Sequence, residues 1–305
     1  MTIVPPAPGE PRRPHGPRDS GDAWVVADDG TQYWGRYGAA GLLALDPRAD
    51  AEGAVLLQHR VSWSHHGDTW ALPGGARHEG ESACDGALRE SAEEAGVPAD
   101  AVTPRLISVF DAGIWTYSTV VADVVRPFEP VISDPESREL AWVPVDAVDS
   151  YPLHPGFAAS WRRLRPLLSV RPALVIDAAN VVGSVPDEWW KDRAGAAERL
   201  LRRLADLRTV GVPGEALGMS ERVWFPEVSV VLEGAAKGAV APDVEGLSVV
   251  LAPAAGDDAI VGEAERLSAA GRAVTVVTSD RGLAARADGI RGVSVRSVSW
   301  LRDLG

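Results

Sequence analysis

The sequence predicts two α/β domains in series, the first built on a mixed sheet and the second on a parallel one. In 38–168, short apolar segments flank one clear helical stretch, giving the order strands, helix, strands, helix. In 173–280 the apolar segments become nearly continuous Val/Leu/Ile runs, the pattern of strands covered on both faces and hence of a parallel sheet between helices. Between them lies the basic, proline-bearing stretch Arg162, Arg163, Arg165, Pro166, Arg171, Pro172, which predicts a boundary near 165–171. The domains are accordingly placed at 21–168 and 171–305.

Residues 1–20 carry Pro5, Pro6, Pro8, Pro11, Pro14 and Pro17 with almost nothing to bury, and read as a disordered, proline-rich tail. GAAGLLAL (38–45) and AVLLQHR (54–60) have strand length and are bounded by Asp, Pro and Gly. Over 81–96 the residues Cys84, Ala87, Leu88, Ser91 and Ala95 recur at helical spacing and make a small, inward face. Strands follow at LISVF (106–110), YSTVVADVV (117–125) and ELAWVPV (139–145), then a helix over 155–168. In the second domain strands are expected at 173–177, 228–233, 247–252 and 273–280, with helices over 194–207 and 257–270.

Composition bounds the function. A chain of 305 residues, 46% hydrophobic and 24% charged, with a net charge of −13, is globular and disfavours non-specific capture of nucleic acid or anionic membrane. The excess is uneven: 1–170 holds 24 acidic and 14 basic residues. Cys84 is the only cysteine, so no intramolecular disulfide forms and no cysteine-based zinc site exists. With no long apolar run and no signal-peptide core, a cytoplasmic location without membrane contact is expected. Oligomeric state is not readable.

The most informative segment is LPGGARHEGESACDGALRESAEEAGV (72–97). On a helix Glu90 faces Glu93 and Glu94 at i+3 and i+4, so carboxylates crowd one side of two turns. Arg89 is the one base nearby, and its position one residue away points it elsewhere. Hard oxygen donors at this density suit Mg²⁺ or Mn²⁺, ions that share their shell with substrate phosphates. In the loop VSWSHHGDTW, His65 and His66 are placed to touch a substrate, although exposed loop histidines are more often uninvolved; Trp63, Trp70, Trp115 and Trp142 are more often core than base-stacking platforms.

The pattern G-x5-E-x7-R-E-x-x-E-E-x-G-V resembles the signature of the Nudix hydrolases, with Ser91 standing where that family usually has an aliphatic residue. The resemblance extends to GAAGLLAL before it and ESRELAWVPVDAV (136–148) after it, covering roughly 21–168. It implies an α/β/α sandwich with a mixed sheet and metal-assisted hydrolysis of a nucleoside diphosphate linked to another group. Glu93 and Glu94 would be the principal metal ligands, Glu90 a further ligand or the base that activates water, and the Gly75 carbonyl another ligand. Arg89 would orient the glutamates by ion pairing, Glu81 would support the loop–helix junction, and Glu136 is preferred to Glu139 as a further carboxylate. The metals would shield the pyrophosphate oxygens and lower the pKa of a bound water.

In the second domain Asp177 ends the first strand and is followed by Asn180; Asp257 and Asp258 open a helix after the third strand; Asp280 ends the fourth. Ligands of parallel α/β sheets bind at the carboxyl ends of the strands, so these groups would gather at one edge. Asp and Ser also serve as helix N-caps, and for Asp258 alone the cap reading leads. LVIDAANVV, GDDAIV and VVTSDRGL together resemble the NYN family, a branch of the PIN-like nuclease fold of Rossmann type, across about 172–303. That implies a metal-dependent ribonuclease site in which Asp177, Asp257 or Asp258, and Asp280 hold Mg²⁺ or Mn²⁺ and Asn180 positions the scissile phosphate. The surface of Arg199, Arg202, Arg203 and Arg208 is a candidate RNA contact. The leading expectation is a pyrophosphohydrolase acting on a nucleotide-type small molecule, fused to an NYN ribonuclease domain. The alternatives are an RNA-processing enzyme, or a nucleotide-sensing regulator with a nucleic-acid-binding NYN module.

Overall fold

The computed structural model describes residues 1–7, 20–50, 52–185 and 188–304, and the chain divides into two units, Met1–Leu168 and Ser169–Gly305. In the first, β1 (Thr2–Val4), β2 (Trp24–Val26) and β3 (Gln32–Trp34) form a small antiparallel sheet. The expected disordered tail is thus corrected at its start: Thr2 pairs with Val26 and Val4 with Trp24. Strands of three residues are too short for alternation to register in the sequence. The rest of that tail, 8–19, lies outside the described residues.

The main sheet of this unit comprises β4 (Ala39–Asp46), β5 (Ala54–Arg60), β6 (Trp70–Ala71), β7 (Gly74–Ala76), β8 (Val102–Asp111), β9 (Thr116–Val124) and β10 (Ser137–Pro144), with α1 (Ala83–Ala95) after β7 and α2 (Pro155–Leu164) after β10. Its order runs β10-β5-β4-β9-β8, with β6 beside β5 and β7 beside β4. β4 and β9 are parallel while β5–β10, β4–β5 and β8–β9 are antiparallel, so the sheet is mixed as expected. Ala87 and Ala95 of α1 pack with Leu42, Leu56, Val120 and Ala122 in one cluster, with Cys84 and Leu88 at its margin. Alanine on this face lets the helix lie close to the sheet, which brings its glutamates to the neighbouring β7 edge.

The second unit starts with β11 (Pro172–Asp177), α3 (Ala178–Gly183) and α4 (Arg193–Val210). A small excursion follows, in which β12 (Val212–Pro213) pairs antiparallel with β13 (Val223–Trp224) around α5 (Gly214–Leu217). The chain continues as β14 (Glu227–Leu232), β15 (Leu247–Leu251), α6 (Gly256–Ala269), β16 (Ala273–Val277), α7 (Arg281–Asp288), β17 (Val293–Arg296) and α8 (Val298–Arg302). The sheet order is β15-β14-β11-β16-β17 and every pairing is parallel. Alternate residues of β11 serve opposite faces: Leu174 and Ile176 join Leu201 and Leu204 of α4, while Ala173 and Val175 join Ile260 and Ala264 of α6. A strand that is apolar on both faces reads as a continuous run, so its length and Val/Leu/Ile content rather than a period located it. The chain leaves β11 toward β14 on one side and returns to β16 on the other, so the carboxyl ends of β11 and β16 flank a topological switch point. Among the described residues, no helix is long and apolar enough to cross a membrane.

Candidate active site

Helix α1 is closed at both ends by its own sequence. The Ser82 hydroxyl accepts from the Asp85 amide at 3.1 Å, and Gly96, in the left-handed conformation at φ 64°, donates back to the Ala92 carbonyl. Fixed ends set the rotation of the helix, and with it which glutamates turn inward. Glu90 and Glu94, one turn apart, are buried, at 6% and 8% exposure, whereas the side chain of Glu93 is 52% exposed. The three carboxylates expected on one side thus divide into an enclosed pair and a rim residue.

Arg89 does not point away from this set. Its guanidinium grips both oxygens of Glu81 at 2.9 Å, donates to Glu90 Oε1 at 2.7 Å and to the Ala76 carbonyl at 2.9 Å, and lies 3.7 Å from Glu93 Oε1. Adjacent Cα–Cβ bonds diverge on a helix, but the arginine stem is long enough to fold back, a freedom that counting positions does not capture. Glu81 also accepts the His78 amide at 2.8 Å, tying the loop before α1 to the helix. The Arg89 ion pair and that amide hold the Glu81 carboxyl below its usual range despite burial.

The enclosed pair meets β7. Gly74 donates its amide to Glu94 Oε2 at 2.8 Å, and the Glu90 carboxylate lies so close to the Gly75 α-carbon that a β-carbon there would stand 2.6 Å from Oε2. Only glycine leaves room for that carboxylate. Burial pushes the Glu94 carboxyl well above its ordinary value, and the charge of Glu90 pushes it further; the Gly74 amide and Arg60 oppose this incompletely. Glu136, just before β10, lies 3.8 Å from Arg60 and adds to the negative field at Glu94, while Glu139 is exposed on β10. The donor set fits a hard divalent cation in kind: oxygen ligands, an excess of negative charge and limited solvent. The carboxylates do not themselves converge, since among the described residues only His65, His66 and His154 bring three ligand atoms within 4.8 Å. Mg²⁺ retains several waters, so direct contact with every carboxylate is not required.

Residues 37–164 match the NUDIX domain. Over 155 residues the chain is 54% identical to a Mycobacterium tuberculosis protein provisionally named 8-oxo-dGTP diphosphatase 3, an alignment spanning 48% of this chain and 70% of that protein. The chain belongs to the Nudix family. It is also 42% identical over 153 residues to a nucleoside triphosphate pyrophosphatase/Nudix hydrolase fusion protein of Bifidobacterium longum, covering 47% of this chain and 30% of that one. The crystal structure of a Nudix hydrolase from M. smegmatis, RenU, is 50% identical, with a TM-score of 0.45, covering 48% of this chain and 94% of that chain. The Nudix relationship makes the first unit a pyrophosphohydrolase. The domain match ends at residue 164, ahead of the second unit.

Around the Nudix carboxylates the aromatic residues divide as their burial dictates. Trp70 is buried and stacks on His59 at 4.8 Å, and Trp142 packs edge-on to Phe128 beside the core. Trp115 is half-buried and stacks on Tyr33 at 4.8 Å, and Trp63 is exposed.

In the second unit, the other acidic constellation gathers at the carboxyl edge of the parallel sheet. Asp177 caps α3 through the Asn180 amide at 3.0 Å and accepts the Thr278 hydroxyl at 2.7 Å. Asn180 Oδ1 accepts the Ser279 amide at 3.0 Å, and Asp280 caps α7 through Leu283 at 2.8 Å. Burial raises the Asp177 carboxyl, reinforced by the charges of Asp257 and Glu233, although the hydrogen bonds from Asn180 and Thr278 oppose it. Asp257 therefore belongs electrostatically to this edge. Asp258 pairs instead with Arg286 at 2.7 Å, and it does not cap α6, whose N-terminal residue Ala255 makes no side-chain cap. The first amide of that helix, Gly256, is taken by Glu233 at 2.6 Å. Sequence reasoning passed over Glu233; its position directly after β14, close to the strand-end position that Asp177 holds in β11, was the available signal.

Of the basic residues expected to form an RNA surface on α4, Arg199 and Arg202 are exposed, whereas Arg208 is corrected. Arg208 is buried, donating to the carbonyls of Pro226 at 2.9 Å and Glu245 at 3.2 Å. Arg203 donates to the carbonyls of Leu301 and Arg302, and Arg202 pairs with Glu198 at 3.3 Å. Arg203 and Arg208 fasten a helix end and loops, a use of the guanidinium fork that spacing along a helix does not reveal, while Arg202 pairs within α4.

Proposed function

We propose that the first unit hydrolyses a nucleoside polyphosphate, with an oxidised purine nucleoside triphosphate such as 8-oxo-dGTP as the leading substrate and Mg²⁺ or Mn²⁺ as the required ion. The observation that carries this reading is the enclosed Glu90–Glu94 pair, two carboxylates whose mutual repulsion the neighbouring Arg89 and Gly74 amide do not fully offset. The substrate class follows from the M. tuberculosis relative's name and the extent of its match. When bound, the cation supplies positive charge to the pyrophosphate oxygens and to the attacking water. Glu94, Glu93, Glu136 and the Gly75 carbonyl would hold it, directly or through its waters. Arg89 keeps Glu90 oriented through Oε1, so that the other oxygen of that carboxylate is presented as ligand or proton acceptor. Glu81 fixes Arg89 from behind and so acts as a positioning residue.

The test is a panel of nucleotides, including 8-oxo-dGTP, dGTP, ADP-ribose and dinucleoside polyphosphates, assayed with Mg²⁺ and with Mn²⁺. Glu93→Gln and Glu94→Gln are expected to remove cation-dependent turnover with the fold intact. Turnover unchanged in both would refute the assignment of the carboxylates, and a substrate other than 8-oxo-dGTP would refute only the leading substrate.

For the second unit we propose an NYN-type, PIN-like domain at 171–305 that cleaves RNA with the same class of ion, held by Asp177, Asp257 and Asp280 with Glu233 alongside. The reading is supported by strand-end acidic groups on both sides of a switch point and by Asn180 hydrogen-bonded across it to Ser279. Asp177→Asn and Asp280→Asn should abolish Mn²⁺-dependent cleavage of single-stranded RNA and spare pyrophosphohydrolysis. Intact protein that leaves RNA uncut would make the domain a binding module.

A further inference from the structure

Three imidazoles that the pyrophosphohydrolase reading does not use stand together beside it. His65 and His66 lie in the loop between β5 and β6, and His154 precedes α2; one nitrogen from each falls within 4.8 Å of the others. Ring centroids are 4.2 Å apart for His65–His66 and 4.8 Å for His66–His154, with the second pair edge-to-face. We propose that His65, His66 and His154 form a binding site for a nitrogen-preferring divalent transition ion such as Zn²⁺, separate from the carboxylate set and leaving a fourth coordination position open.

The scaffold is built to keep these rings together. Trp70 is hydrogen-bonded on both sides: its amide to the Pro152 carbonyl at 2.9 Å, its carbonyl to the His154 amide at 2.8 Å, and its position in register with His59 of β5. The indole is clamped between His59 and Tyr151. Upstream, Arg60 donates to the Thr69 carbonyl at 2.9 Å and accepts from the Asp68 amide at 3.1 Å, and the Thr69 hydroxyl donates to the His66 carbonyl at 2.5 Å. Segments almost ninety residues apart are thereby fixed against one another at one tryptophan.

Backbone strain points the same way. His66 has φ 53° and Asp68 φ 57°, left-handed conformations that residues other than glycine adopt at a cost. In an extended chain adjacent side chains project to opposite faces; here, with His66 left-handed, the His65 and His66 rings lie 4.2 Å apart. Donor chemistry then selects the ion. Neutral imidazoles suit Zn²⁺ and its neighbours in the transition series, whereas Mg²⁺ takes oxygen. His154 already engages one backbone group. Its Nδ1 accepts the Gly156 amide at 3.1 Å, so coordination requires either that this bond yield to the ion or that the ring proton move to Nδ1 and free Nε2. The loss is one neutral hydrogen bond, small beside what a bound transition ion contributes.

The experiment titrates Zn²⁺ into the full chain under millimolar Mg²⁺, by equilibrium dialysis, with X-ray absorption on the bound ion to count imidazole ligands. His66→Asn and His154→Asn are the informative variants, because Asn tolerates the left-handed turn and is a strong N-cap, so both retain local structure. The expected result is a Zn²⁺ site with imidazole ligands that persists in Glu94→Gln and is weakened at least 10-fold in each histidine variant. Absence of zinc binding, a bound ion with oxygen ligands alone, or affinity that follows Glu94 and ignores both histidines would each overturn the proposal. Because none of these readouts measures turnover, they remain distinct from a failure of the pyrophosphohydrolase reading.

Discussion

Replacing Arg89 by Ala tests whether one guanidinium organises the Nudix carboxylates. The wild-type side chain makes two hydrogen bonds to Glu81, one to Glu90 and one to the Ala76 carbonyl, with Glu90 and Glu81 only 7% and 13% exposed. Removing one partner of a buried pair costs about 3–5 kcal/mol, since the remaining charge stays desolvated. Arg89 is itself 20% exposed, so water enters the space it leaves and the lower end, about 3 kcal/mol, is expected. Arg89→Lys keeps the charge and loses the fork, and should cost about 1–2 kcal/mol. The sign with pH is fixed by Glu81: its folded pKa lies below the ordinary glutamate value, so the stabilisation is present above that ordinary value and is lost as pH falls through the folded one. The difference between wild type and Arg89→Ala should thus be largest at neutral pH and shrink in acid. Guanidinium unfolding of the full chain, followed by hydrogen exchange of peptides covering β4 and β9, reads the first unit separately. A loss under about 1 kcal/mol that does not change with pH would refute the view that this network is enclosed and electrostatic.

Three further perturbations follow from the same geometry. Glu94→Gln should raise thermal stability at neutral pH without divalent ions, because a carboxyl with a raised folded pKa opposes folding as it ionises, and should abolish the gain that Mn²⁺ gives the wild type; differential scanning calorimetry with and without Mn²⁺ checks both. Thr278→Val removes the hydroxyl that donates to Asp177 at 2.7 Å and accepts the Asp280 amide at 3.1 Å, and should destabilise the second unit by about 2 kcal/mol in denaturant titration; an unchanged midpoint would show the strand edge to be solvated. Arg208→Met should destabilise that unit by about 2–3 kcal/mol while leaving any retention on RNA unchanged, and loss of RNA retention with unaltered stability would restore the basic-surface reading.

The sequence by itself determined the layer types, because segment length and side-chain pattern differ between the halves: short apolar segments around a small-residue helix face in 38–168, nearly continuous apolar runs in 173–280. It also located Glu90, Glu94, Asp177 and Asp280, whose meaning rests on spacing along a helix and on position at strand ends. Tertiary structure alone decided which of these carboxylates face one another. The rotation of α1 exposes Glu93 and encloses Glu94, and the reach of the Arg89 side chain reverses an inference drawn from the direction of its Cα–Cβ bond. The same holds for Arg208, a residue of an apparently basic helix that folding turns onto buried carbonyls. His154 could not be associated with His65 and His66 from their order in the chain, since their proximity depends on Trp70 bonding both segments. Periodicity reports which way a residue faces relative to its own element. What it meets there depends on non-local pairing and on long side chains, whose reach exceeds the local geometry that a sequence pattern encodes.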